Sequence, residues 1–400
     1  MNASPQNIFL LVWLFPIAAP YLLASDLILH VSSTTKFIVI FNVLAFYYMA
    51  LIAWLAGWLR NGTSARKALG RIDYLKFNKK IIALFYLWLA LYFLNILGSG
   101  GIPLYWVLTG DTRTYADFGL PTLGGLSNML RAFILTSCYI VYFYSGLSKA
   151  KRNRFLLIGI FLLFSAFALE TGRGNGVVLL LHPLGLHLLI NKISIGNFLK
   201  WIVFAILFIL GLSGIQILRY GGDIETLEKY AENSGMGNFE GISLLVVPAI
   251  TYTAIPIINT DLNVLYAPLL KFSPNYSLQG IMPTILRDRL YEKQDYGELI
   301  NEGNNVTSFY VPLLRDFGIL GCVVVVIFIQ LVVFYFYVKA KLGNPFFVLS
   351  WPPIFMSLAL SFFSLFFTSL IVVLYPILVA YVLKGCLLHK ERAARSRLSI

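Results

Sequence analysis

Residues 345–383 contain no Asp, Glu, Lys, Arg or His. At about 1.5 Å per helical residue this run is about 58 Å long, enough to cross a ~30 Å hydrocarbon core twice. It predicts a hairpin of two membrane spans, 345–362 and 365–383, turning near Ser361 and Ser364. Eight further apolar stretches have the same character: 8–28, 37–59, 81–98, 128–148, 155–170, 176–190, 201–217 and 318–338. The chain is therefore expected to be an all-α polytopic membrane protein with about ten spans.

Composition excludes the alternatives. Of the 400 residues 58% are hydrophobic and 12% are charged, whereas a soluble domain carries about 25% charged residues. So few charges cannot cover the surface of a cytosolic enzyme, and so apolar a chain is neither disordered nor a nucleic-acid binder. Cys138, Cys322 and Cys386 are too few for a disulfide framework and read as free thiols. The N-terminus lacks a basic region before its long apolar stretch, so no cleaved signal peptide is expected.

The net charge of +13 is uneven along the chain. Segments 60–80, 149–154, 191–200, 339–344 and the tail from Lys384 hold 20 of the 31 Lys and Arg. The positive-inside rule assigns this set to the cytoplasm, with both termini. Most of the charge is then topogenic and needs no binding partner. The organisation that follows is spans one to seven over 1–217, a large outer loop over 218–317, spans eight to ten over 318–383 and a basic tail over 384–400. The outer loop holds 12 acidic and 7 basic residues. Its apolar piece 243–258, interrupted by Pro248 and Pro256, reads as an interfacial or re-entrant segment, because a full span there would put the basic 339–344 loop on the wrong side.

Arginines near the outer ends of spans run against that rule, so they are the candidates for function. Arg173 lies in the turn Glu170-Thr-Gly-Arg-Gly-Asn-Gly176, whose glycines allow a tight, N–H-exposing backbone. Arg219 precedes Tyr220-Gly-Gly, and Arg315 precedes Asp316-Phe-Gly at the entry to span eight. Arg287 and Arg289 flank Asp288, and Arg113 follows Asp111 in the first outer loop. Each taken singly also fits a headgroup anchor. Together they fit a phosphate or diphosphate, which guanidinium groups grip in bidentate fashion. Arg131, near the start of span four, is expected to pair with Glu170 or Asp26, and His182 and His187 read as packing groups. No metal-ligand cluster, DxD pair or nucleotide-binding motif appears in the sequence.

These features resemble the Wzy-type oligosaccharide repeat-unit polymerases. The resemblance is carried by Thr171-Gly-Arg-Gly174, Arg219-Tyr-Gly221, Gly101-Ile-Pro-Leu104, and Asn305-Val-Thr-Ser-Phe309 followed by Leu314-Arg-Asp-Phe-Gly-Ile-Leu-Gly321. It covers most of the chain in layout and short motifs in sequence. It implies a GT-C-like glycosyltransferase of the bacterial inner membrane, facing the periplasm and needing no metal or other cofactor. It would move a growing glycan from polyprenyl diphosphate to the non-reducing end of an incoming lipid-linked repeat unit. Arg173, Arg219, Arg315 and Asp316 would be catalytic. Arg113 and Tyr220 would bind diphosphate or glycan, and Arg287 and Arg289, added from their own charge and place rather than from the resemblance, would do the same. Asp316, Asp288 and Glu302 are the carboxylates from which a base would come. Partners would be the polyprenyl-diphosphate oligosaccharide, membrane lipids and a chain-length regulator, with no nucleic acid. Two other classes stay open: a flippase or transporter of lipid-linked sugars, and a related glycan ligase or acyltransferase. The first would want charges within the spans and an internal repeat. The outer loop lacks the histidine expected of O-antigen ligases.

Overall fold

The computed structural model describes the chain apart from residues 1–3, 23–30, 59–64, 115–116, 192–223, 234–243, 245–246, 292–296, 300–305 and 389–400. Among the described residues there is no strand, only an isolated bridge between Ile72 and Leu387. The helices are α1 (Pro5–Leu22), α2 (Ser33–Leu55), α3 (Ala65–Leu69), α4 (Tyr74–Ser99), α5 (Pro103–Thr109), α6 (Leu123–Tyr144), α7 (Lys149–Phe164), α8 (Arg173–Ile190), α9 (Ile224–Asn233), α10 (Val247–Tyr266), α11 (Thr284–Leu290), α12 (Tyr310–Lys341), α13 (Pro345–Ala359) and α14 (Leu370–Leu383). A π-helical turn, Ser165–Leu169, prolongs α7, and a 3₁₀ turn covers Tyr276–Ile281.

Local signals explain many of the boundaries. Ser32, Asp73, Asn344 and Ser369 accept from first-turn N–H groups as N-caps. Gly100 and Gly110 close α4 and α5 in the left-handed conformation. Five stretches are long and apolar enough to cross a membrane: Ser33–Leu55, Tyr74–Thr109, Leu123–Tyr144, Lys149–Leu169 and Tyr310–Lys341. With shorter apolar helices beside them, they make a helical membrane protein. Every expected span except 201–217, which lies outside the described residues, falls on a helix.

The bundle is layered from its centre outwards. α6 is buried continuously from Met129 to Cys138 and α13 from Val348 to Leu358. α13 packs on α8, α12 and α14, while α6 packs on α4, α7 and α8. Around them α2 turns Phe37, Ile40, Leu44 and Tyr48 outward, each more than half exposed. An apolar perimeter of this kind is stable only where lipid covers it.

Tertiary contacts sort the loops onto two ends. At one end the basic segments knit together. Asp73 N donates to Cys386 O at 2.7 Å and Leu388 N to Arg71 O at 2.9 Å. Lys80 Nζ caps the end of α14, donating to the carbonyls of Tyr381, Val382 and Lys384 at 3.0, 3.2 and 2.7 Å. Lys341 Nζ reaches Leu189 O at 2.9 Å. The opposite end, called the loop end below, holds the α1–α2, α4–α6 and α7–α8 connections and most of the described part of 261–320.

The described part of 243–258 lies mostly on α10. Within α10 every residue from Ala254 to Asp261 is buried, and the helix packs against α1, α2 and α12. The segment that turns back into the bundle is Val306–Phe317. Its Phe309 N donates to Ser361 O at 2.9 Å, and Tyr310 Oη accepts from Asn42 Nδ2 at 3.3 Å, about 14 Å along α2 from that helix's start. Residues 310 and 322 would be about 18 Å apart in a straight helix. Instead Cys322 Sγ lies 3.9 Å from Tyr310 O, because α12 breaks at Gly318 (φ 70°, ψ −173°).

The 345–383 hairpin differs from expectation. α13 has 15 residues and α14 has 14, each about 22 Å or less, shorter than a ~30 Å core. Their connection is recessed: Ser361 Oγ accepts from Trp13 Nε1 at 3.0 Å. The returning 306–317 segment covers that recess. Non-helical backbone at membrane depth requires such protein cover.

Candidate functional site

The arginine-bearing elements of the loop end are assembled around α12. At the Gly318 break the helix loses its own hydrogen-bond ladder, and the strip 268–273 supplies the missing partners. Pro268 O and Leu269 O accept from Ile319 N and Leu320 N, both at 3.0 Å. Lys271 N and Ser273 N donate to Phe317 O and Asp316 O at 3.1 and 2.9 Å. Asp316, fully buried, holds the next turn of that strip. Its Oδ1 accepts from Tyr276 N at 3.0 Å, and its Oδ2 accepts from Ser277 N and Ser277 Oγ at 2.7 and 2.6 Å.

That bracket places the arginines. The Arg315 guanidinium lies 3.7 Å from the centre of the Tyr276 ring, a cation–π contact. Gly280 packs so closely on the recessed hairpin that a Cβ there would lie 2.9 Å from Thr368 O. The chain then enters α11, which carries half-buried Arg287 and exposed Arg289, and Ile285 N approaches Thr122 Oγ1 at 3.4 Å. Arg315 thus packs on the 276–281 turn, and Arg287 and Arg289 follow that turn on α11.

The start of α8, with Arg173, is braced separately. Arg131, 1% exposed, forms a fork with Glu170 at 2.5 and 2.9 Å and also meets Ser165 Oγ and Asn128 Oδ1. Of the two partners expected for Arg131, Glu170 is the one found. The π turn lets Glu170 N and Gly172 N bond back to Ser165 O and Ala166 O, at 3.0 and 3.1 Å. Thr171 is held at φ 49° and Thr122, before α6, at φ 70°. Non-glycine residues persist in such conformations when surrounding structure over-determines them, and π turns and strain recur at functional sites. A Cβ at Gly176 would lie 2.1 Å from the Phe167 ring, so a larger residue there requires that ring to move.

Arg113 is engaged by its own loop. It forms a fork with Asp111, donates to Ser99 O at 2.7 Å and lies 4.6 Å from the Trp106 ring centre. Its hydrogen bonds hold the Asp111 carboxyl below the ordinary carboxylate range. His182 and His187 pack as expected: His182 Nδ1 meets Val178 O at 2.7 Å, and His187 Nδ1 meets Tyr139 Oη at 2.6 Å. Cys138, Cys322 and Cys386 are free and buried. Arg219, Tyr220, Glu302, Asn305 and Asp26 lie outside the described residues, as do the side chains of Arg173 and Asp288.

Three donors from the 276–277 turn reach the fully buried Asp316 carboxylate, which suits an anchor for the 276–290 strip. Asp316→Ala is therefore expected to release that strip at a cost of about 3–5 kcal/mol, because buried donors lose a charged acceptor. Limited trypsinolysis would report it as faster cleavage at Lys271, Arg287 and Arg289. Cleavage at the parental rate would show that Asp316 does not hold the strip.

A carboxylate that sequence reasoning passed over is Asp261 on α10. It is 9% exposed, and its Oδ1 accepts from Ser32 N, Ser32 Oγ and Thr35 Oγ1 at 3.0, 2.5 and 2.6 Å. No local motif marks it; only the packing of α10 on the start of α2 reveals it.

No family model matches the chain, and no curated protein or solved structure shows significant similarity to it.

Proposed function

We propose that this protein is a membrane glycosyltransferase of the Wzy-type repeat-unit polymerase kind, acting on polyprenyl-diphosphate-linked glycans at the periplasmic face of the bacterial inner membrane. The observation that supports the reading is the Asp316 bracket, which holds the 276–281 turn against Arg315 at the end opposite the basic loops, with Arg287 and Arg289 following on α11. The positive-inside rule makes that end the outer one. Arginine is disfavoured at outer span ends, so building a loop to concentrate it there implies an anionic ligand.

The chemistry follows from the location. No nucleotide sugar or ATP is available outside the cytoplasm, so the sugar–diphosphate bond supplies the driving force. The diphosphate departs readily once its developing charge is met by fixed cations, whose preorganisation lowers the barrier in a water-poor site. In this reading Arg173, Arg219 and Arg315 grip the departing diphosphate, and Arg287 and Arg289 hold diphosphate or glycan. The re-entrant 306–317 segment supports the same reading, since broken helices at membrane depth recur where transporters and related proteins bind ligands.

The test is reconstitution. Purified protein in lipid would receive a polyprenyl-diphosphate oligosaccharide with neither nucleotide nor added metal. A ladder spaced by one repeat unit is expected. Arg315→Ala is expected to slow the ladder by about 10²–10³, as loss of an oxyanion donor does, with unchanged membrane insertion. Labelled lipid that moves between leaflets with no ladder would replace this reading with a flippase. A ladder of parental length from a variant lacking both Arg173 and Arg315 would defeat the diphosphate clamp.

A further inference from the structure

Three described carboxylates are buried at the loop end, and they differ in what their oxygens do. Both oxygens of Glu170 are taken by Arg131, and both of Asp316 by Tyr276 and Ser277. Asp261 is asymmetric. Its Oδ1 carries all three of its hydrogen bonds to described residues, and none of these residues donates to Oδ2. Three donors on one oxygen fix the plane of the carboxylate. The second oxygen is thereby aimed, with no donor among the described residues.

The position suits the chemistry above. Asp261 lies about 8 Å along α10 from its end at Tyr266. Just beyond, Pro268 O accepts from Ile319 N beside the Gly318 break, three residues from Arg315. On the same helix Thr260 Oγ1 meets Ser308 Oγ at 2.6 Å, tying Asp261's neighbour to the re-entrant segment. A purely structural staple of α10 to α2 would need Oδ1 alone.

We propose that Asp261 Oδ2 receives a hydroxyl of the acceptor glycan and takes its proton as the glycosidic bond forms; this rests on the polymerase reading. The acceptor oxygen bonds to the anomeric carbon of the donor. The bond from that carbon to the diphosphate oxygen breaks, and its electron pair leaves on the polyprenyl diphosphate. The hydroxyl proton passes to Asp261 and from there to water.

Asp261→Asn separates this from a staple, because the amide oxygen can still accept from Ser32 and Thr35 while the second position becomes an NH₂ donor. In the reconstituted full-length protein, given the polyprenyl-diphosphate oligosaccharide, kcat is expected to fall about 10²–10⁴-fold, the range for a general base. KM should stay within a few-fold of the parent, while the melting temperature falls modestly as three charge-assisted hydrogen bonds become neutral ones. Parental kcat in Asp261→Asn, with a ladder still forming, would overturn the proposal and leave the polymerase reading standing. If the parent itself forms no ladder, the polymerase reading falls. Asp261 is then judged by tryptophan-fluorescence titration with the same lipid-linked oligosaccharide. Tenfold weaker binding to Asp261→Asn would keep Asp261 as a glycan-hydroxyl ligand, and equal binding would dismiss it.

Discussion

Gly318→Ala is expected to cost about 3–5 kcal/mol and to abolish outer-face activity while the protein still inserts. Two effects combine. The backbone at Gly318 (φ 70°, ψ −173°) lies in a region that is essentially glycine's alone, where any other residue is strained by about 1–3 kcal/mol. A Cβ there would also lie 2.6 Å from Pro268 O and 3.0 Å from both Leu270 N and Leu270 Cα. All three are backbone atoms of the strip that satisfies the broken ladder, so they cannot swing away as a side chain would. The chain can escape by straightening α12. That would carry Tyr310 away from Asn42 and Trp13, pull Phe309 from Ser361, and move Arg315 and Asp316 off Tyr276 and Ser277. Scanning fluorimetry in detergent reads the stability, and accessibility of an introduced cysteine at 309 reads the withdrawal. A parental melting temperature with Phe309→Cys still shielded would show that the break does not hold the re-entrant segment.

The second large effect is expected at Arg131 and Glu170. Removing one member of a buried ion pair strands the other charge, at a cost of about 3–5 kcal/mol, whereas replacing both with apolar groups is often neutral or stabilising. Arg131 and Glu170 are 1% and 4% exposed. Arg131→Met alone is therefore expected to melt early, and Arg131→Met with Glu170→Leu to recover most of the loss. The double variant should nonetheless lose activity, because Glu170 opens the turn that starts α8 at Arg173. Thermal unfolding and the reconstituted ladder measure the two consequences separately. A double variant no more stable than Arg131→Met would mean that the hydrogen bonds to Ser165 and Asn128, rather than the buried charge, set the cost.

How much of this was legible depends on the kind of residue. The spans announce themselves because about 20 apolar residues in a row have few other uses. Arg131 near the start of an apolar stretch announced a need for a carboxylate partner, and Glu170 fills it. The basic segments meet at one end of the bundle, as their common charge implied. The depth of the 345–383 hairpin was not legible. Hydropathy responds to apolar side chains and is indifferent to whether they sit on a spanning helix or on a recessed turn under protein cover, so 360–369 looked like more of the same. Nor does any local pattern name the partners of Asn259, Thr260, Asp261 and Asn263 in α10, each of which bonds to a different neighbour: Val306, Ser308, the start of α2 and Glu298.

The same division holds for the candidate site. The amino-acid order alone determined a helical membrane protein, the two classes of loop, and the placing of arginines where membrane insertion disfavours them, because these follow from side-chain transfer energies that add along the chain. Only the tertiary structure decided which carboxylate is an anchor and which keeps an oxygen to offer. Asp316 and Asp261 are the same residue type on the same side of the bundle. They differ because a hydrogen bond saturates. The strip 273–277 takes both oxygens of Asp316, while the start of α2 takes one oxygen of Asp261, and no pattern in sequence counts lone pairs.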